Sequence, residues 1–162
     1  MKRLNARRVV LALMVVGLAL AVWAAPALAI TWGQPDTDNV YRNVGAFMIN
    51  SPTYGWYPIC TGTLVHERVF LTAGHCTDYV EYLLAIGRIG PGDVAVSFDY
   101  DPLAKGAKRL PVAQVITHPD YYWGPQSDPH DVGALVLERR VRNIAPAALP
   151  APGFLNQLDD EG

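Results

Sequence analysis

Cysteine and serine are scarce in this chain of 162 residues, with two of the first and three of the second. Two cysteines, Cys60 and Cys76, permit one bridge at most, so a disulfide-dense scaffold is excluded. Basic residues are also short: thirteen Lys and Arg face fifteen Asp and Glu. Without a basic face the chain is not expected to bind nucleic acid. No long helical period, no internal repeat and no low-complexity tract runs through the body of the sequence. Those absences leave a domain of short strands.

The N-terminus carries most of the hydrophobic length. Lys2, Arg3, Arg7 and Arg8 form a basic start, Val9 to Val22 an apolar stretch, and Ala27-Leu28-Ala29 a small-residue cleavage site. Residues 1–29 therefore read as a secretory signal. An uncleaved membrane anchor is the competing reading, since the apolar stretch is nearly long enough to span a bilayer. Pro26 and the small-residue site favour cleavage. Removing 29 of the 162 residues leaves 133, enough for one domain, and takes four cations with it. The exported chain is expected to be secreted, acidic and free of the membrane. In that oxidising compartment Cys60 and Cys76 are expected to pair, with two free buried thiols as the alternative.

Beyond residue 29, short apolar runs alternate with Gly, Pro, Asn and Asp. This pattern predicts an all-β fold, a small barrel or sandwich. The expected strands are Val44 to Ile49, Ile59 to Leu64, Val69 to Thr72, Tyr79 to Ile86, Val94 to Phe98, Leu110 to Thr117 and Val132 to Leu137. Turns are expected at Pro91-Gly92, Asp101-Pro102 and Pro119-Asp120. From Asn143 to Gly153 the chain is rich in Pro and Ala and reads as a connector, followed by the acidic end Asp159-Asp160-Glu161-Gly162.

The stretch CTGTLVHERVFLTAGHC, from Cys60 to Cys76, resembles the region around the catalytic histidine of the trypsin/chymotrypsin family of serine proteases. There a C-x-G-x-L run precedes a T-A-[AG]-H-C box. The resemblance implies that His75 is a general base. A base of this kind needs an acceptor on its second ring nitrogen, normally a buried carboxylate at the start of a strand. Asp131 opens the apolar run Val132-Gly133-Ala134-Leu135-Val136-Leu137, which resembles the family's D-[IV]-[AG]-x-x-x-L segment. Upstream, VAQVITHPDYY resembles the strand ending in H-P-x-Y that precedes the family's catalytic aspartate. His before Asp is the trypsin-type order. Asp120 and Asp128 compete for the acid's role, but neither is followed by an apolar strand, and Asp131 could instead cap a turn. His118 and His130 match no compact metal-ligand spacing and read as solvated loop residues. Asp93, Asp99 and Asp101 match no recognised pattern of oxygen ligands. No metal or cofactor is expected.

The expected nucleophile is missing. Ser51, Ser97 and Ser127 all precede Asp131, and none stands in the family's G-D-S-G-G setting. In the family that serine lies in a second barrel, with the oxyanion donors and the substrate pocket. Ile30-Thr31-Trp32-Gly33 weakly resembles the I-V-G-G start of the mature enzymes, with Thr31 and Trp32 departing from it.

The resemblance implies a six-stranded antiparallel Greek-key barrel over residues 30–142, the first of two, with residues 143–162 as linker and truncated end. The implied function is that of a secreted serine endopeptidase acting on protein or peptide substrates, of bacterial type, present as an incomplete chain and inactive alone. Self-association through an exposed barrel face is expected. The alternative is a secreted non-catalytic homologue used as a binding or structural module.

Overall fold

A computed structural model describes residues 36–124 and 130–154. The leader and the N-terminal Ile30, together with Ser127, Asp128 and the acidic end, lie outside the described residues. Asp36–Gly162 forms a compact unit of its own. Six strands build it: β1 (Val44–Ser51), β2 (Gly55–His66), β3 (Val69–Thr72), β4 (Val94–Ser97), β5 (Leu110–Thr117) and β6 (Gly133–Leu137). They close into one antiparallel barrel in the order β1-β2-β3-β6-β5-β4.

Barrel closure follows from the apolar residues that each strand turns inward. Phe47 and Ile49 from β1, Leu64 from β2, Phe70 from β3, Val96 from β4, Val112 from β5 and Leu135 and Leu137 from β6 share one core. Phe70 and Phe98 meet edge to face, with ring centroids 5.8 Å apart. Gly62 leaves room for this packing, since a Cβ there would stand 2.4 Å from the Phe70 ring. The glycine of the C-T-G-T-L run is thus a steric requirement of the core.

The segment expected as a strand at Tyr79–Ile86 is helical. Helix α1 spans Gly74–Ala85, leaving six strands where the sequence pattern suggested seven. The burial explains why: Cys76, Val80 and the pair Leu83 and Leu84 recur at one-turn intervals and pack on the core, while Tyr79 and Tyr82 face outward. Read without Cys76 and Thr77, the same residues look like a strand. The helix stops at Gly87, whose φ of 68° the chain needs to turn away.

Past β6 the chain has no further strand or helix until Phe154 among the described residues. The connector nevertheless stays on the barrel, where Ala147 N–H donates to Leu64 O at 2.8 Å and Val141 N–H to Glu67 O at 2.8 Å. Among the described residues no helix is long and apolar enough to cross a membrane.

Candidate active site

Strands β3 and β6 run antiparallel, and their register places Thr72 opposite Gly133. The chain leaving β3 and the chain entering β6 therefore lie side by side at one rim of the barrel. Ala73 and α1 follow β3, and Asp131 stands two residues before β6. Gly133 makes this closeness possible, because a Cβ on it would come within 2.4 Å of Thr77 Oγ1 and 2.9 Å of Ala73 O.

The first N–H groups of a helix lack intrahelical acceptors, and the N-cap side chain usually supplies one. Here the N-cap is Ala73, which has none to offer. Asp131 fills the gap: its Oδ1 accepts the His75 backbone N–H at 2.7 Å. Its second oxygen, Oδ2, lies 2.9 Å from His75 Nδ1. One carboxylate thus caps the helix and holds the ring of the same histidine. Facing an acceptor, Nδ1 carries the proton of the neutral imidazole, so Nε2 presents a lone pair. The side chains of His75 and Asp131 are 51% and 34% exposed, open enough for a ligand to reach the ring.

Desolvation pushes the Asp131 carboxyl pKa upward. The hydrogen bonds from the His75 ring and backbone, the His75 charge and the Gly74 N–H together outweigh it and hold the pKa below the usual value. The pair is therefore built around an ionised acid.

Cys60 and Cys76 form a disulfide, with their Cα atoms 6.4 Å apart, and join β2 to the first turn of α1. The ligand atoms of Cys60, His75 and Cys76 lie within 4.8 Å of one another. With both sulfurs bonded to each other, no thiolate remains for a metal.

Beneath this turn lies a polar contact that the sequence pattern did not reveal. Thr77 is fully buried and donates to Gly74 O at 2.9 Å. Its Oγ1 lies 2.8 Å from Thr117 Oγ1, and Thr117 in turn donates to Glu81 Oε2 at 2.6 Å. A threonine at position 77, three residues after Gly74, was the available signal.

The remaining candidates are placed elsewhere. The Asp120 N–H donates to His118 Nδ1 at 3.2 Å, and its exposed carboxylate makes no hydrogen bond to His75. His118 and His130 are not simply solvated: their rings stack at 5.1 Å and 12°, and His118 N–H extends the β5–β6 pairing to Val132 O at 2.9 Å. Trp123 Nε1 donates to Asp78 Oδ2 at 2.8 Å and ties this loop to α1. Ser97 is completely buried in β4, and Ser51 Oγ accepts the Thr53 N–H at the end of β1. Neither serine is bonded to His75.

Tryptase of Mus musculus is 32% identical over 142 residues, covering 83% of this chain and 47% of the relative. An inactive CLIP domain-containing serine protease of Anopheles gambiae is 35% identical over 97 residues, 58% of this chain and 24% of that protein. The chain therefore spans less than half the length of these curated relatives. A solved HL collagenase structure superposes with a TM-score of 0.54 at 21% identity, covering 78% of this chain and 50% of that one, and bears on the fold. The family model described as Trypsin matches residues 30–159, and on that match the chain belongs to the trypsin family.

Proposed function

We propose that these residues supply the base and the acid of a serine endopeptidase, with His75 as general base and acid and Asp131 as its orienting carboxylate. The observation that carries this is the 2.9 Å contact between His75 Nδ1 and Asp131 Oδ2, which leaves Nε2 as the second nitrogen of a half-exposed ring. In such an enzyme Nε2 takes the proton of a serine hydroxyl as the oxygen attacks a peptide carbonyl, and returns it to the leaving amine. Water then enters the same position, gives its proton to Nε2, and releases the acyl group. Asp131 stays ionised throughout and stabilises the imidazolium.

The nucleophile and the oxyanion donors come from a segment outside the 162 residues. Ser97 is buried and Ser51 bonds locally, and Ser127 stands in Gln-Ser-Asp-Pro rather than G-D-S-G-G, which together support this reading. On this reading residues 30–142 are the barrel that carries base and acid, residues 143–162 lead toward the missing part, and residues 1–29 direct export. Exposed Tyr122, Trp123 and Val132, close in sequence to Asp131, fit a face covered by another part of the protein. Uncovered, that face favours self-association.

The test joins the chain to the coding sequence read beyond Gly162. A longer product containing G-D-S-G-G is expected to hydrolyse a peptide ester, while the 162 residues alone do not. Asp131→Asn in the active product is expected to lower kcat by roughly 10⁴-fold. Robust hydrolysis by the 162 residues, blocked by a serine-directed phosphonate, overturns the assignment of the nucleophile.

A second reading has its own support in the relative named inactive. It makes the barrel a non-catalytic binding module. A monodisperse, cooperatively melting monomer, with no serine motif encoded downstream, selects this reading over the first.

A further inference from the structure

A cavity of about 370 Å³ is lined by Tyr79 but by neither His75 nor Asp131, and takes no part in the dyad. One wall is the end of the β1–β2 hairpin, with Thr53, Tyr54 and Tyr57. The other is α1 and its exit, with Tyr79, Leu83 and Arg88. Its volume is in the range of sites that take small ligands or a few side chains.

Its chemistry is one-sided. Its polar lining residues are Ser51, Thr53, Tyr54, Tyr57, Tyr79 and Arg88, with no Asp or Glu among them. Tyr54 and Tyr57 meet edge to face at 6.4 Å, fixing the aromatic floor. Burial first, and then Tyr79 and Tyr54, raise the Tyr57 pKa, so its hydroxyl remains a donor. Among the described residues no hydrogen bond or ion pair engages the Arg88 guanidinium. On a chain of net charge −2, this is a local excess of donors around one cation. The complementary group is a carboxylate, which a guanidinium binds through two parallel N–H groups.

Position makes the occupant a peptide. His75 and Tyr79 stand four residues apart on α1, so they share one face, separated by about 6 Å along the axis. Both are exposed. The two walls are also tied together beside His75, because Cys60 follows Tyr57 by three residues on β2 and bonds Cys76. The spacing between walls is therefore set before any ligand arrives, which lowers the entropic cost of binding.

We propose that this cavity binds an acidic side chain of a peptide lying across the exposed face of α1, one helical turn from His75. The proposal rests on the endopeptidase reading for the course of the peptide, and on the cavity alone for its charge preference.

The probes are two capped pentapeptides, Ala-Ala-Ala-Glu-Ala and Ala-Ala-Ala-Gln-Ala, titrated into the 15N-labelled chain. The Glu peptide is expected to bind roughly fivefold more tightly, the scale of one partly exposed ion pair, with shifts at Tyr57, Tyr79 and Arg88. Arg88→Gln, at an exposed position, is expected to keep the melting temperature and erase the preference. Equal binding of the two peptides overturns the proposal, as does a Glu preference that survives in Arg88→Gln. Sodium acetate reproducing the same shifts at the same concentrations would define a free-anion site and also overturn it. Because the readout is binding, loss of the Glu preference leaves the catalytic reading standing. Absence of hydrolysis by the extended product overturns that reading and leaves the cavity.

Discussion

Thr72 stands opposite Gly133 in the β3–β6 ladder, and the contact between His75 and Asp131 is set by that pairing. Each member of the pair lies two or three residues beyond its strand. A ladder residue therefore controls the site without touching a substrate.

Gly133→Ala tests this control. The new methyl meets Thr77 Oγ1 and the backbone oxygen of Ala73, and the backbone has little room to give. The expected loss of stability is about 1–3 kcal/mol, read by urea denaturation. The His75 and Asp131 resonances should shift in the folded variant; a variant as stable as the parent, with both unmoved, would show that the close approach is not needed.

Thr77 separates packing from hydrogen bonding. Thr77→Val keeps the shape but removes the donor to Gly74 O and the neighbour of Thr117 Oγ1, at an expected cost of about 1–2 kcal/mol. Thr77→Ser should recover part of it by restoring the hydroxyl. Equal stability of the Val variant and the parent would remove the hydroxyl from the support of this turn.

The disulfide constrains a loop with a sequence separation of 16 residues. Replacing both cysteines by serine is expected to cost about 3 kcal/mol in the chain-entropy model. Because the bridge also anchors the first turn of α1, amide exchange at His75 should accelerate more than exchange in β5. Uniform acceleration across the barrel would limit the bridge to an effect on the unfolded chain.

Acid should weaken the fold through Asp131. Its pKa is lowered in the native state, so the stability it contributes is complete above the unfolded carboxylate value near pH 4 and is lost as pH falls through the native one. Denaturation midpoints across pH 2–6 should therefore fall more steeply for the parent than for Asp131→Asn. In the Asn variant the His75 ring nitrogens are expected to change tautomer, visible in their 15N shifts, because an amide can also donate to Nδ1. Parallel pH profiles for the two proteins would remove Asp131 from the acid response.

Much of this arrangement was legible in the residues. The apolar run after Asp131 marks β6, the T-A-G-H-C box marks the turn after β3, and strands β3 and β5 begin and end where the pattern places them. The helix was not legible, because its stripe begins with a cysteine and a threonine rather than with aliphatic residues. The stacking of His118 on His130 was hidden for another reason: it depends on a turn at His130 with φ of 48°, which no short-range pattern announces. That Asp131 caps α1 was half visible. An aspartate before a strand suggested a cap, but the capped segment lies 56 residues away.

The β3–β6 ladder pairs Val69 with Val136, residues distant in the chain. Contacts of such high sequence separation carry the loop-closure entropy that slows folding. An early collapsed chain can hold α1 and its covalent link to β2, yet it has no carboxylate beside the imidazole until β6 docks. Refolding followed by the near-UV signal of the barrel and by the His75 ring resonances should show the two arriving together. The dyad is then a reporter of β3–β6 closure, and a barrel trapped open at that seam would carry the histidine without its acid.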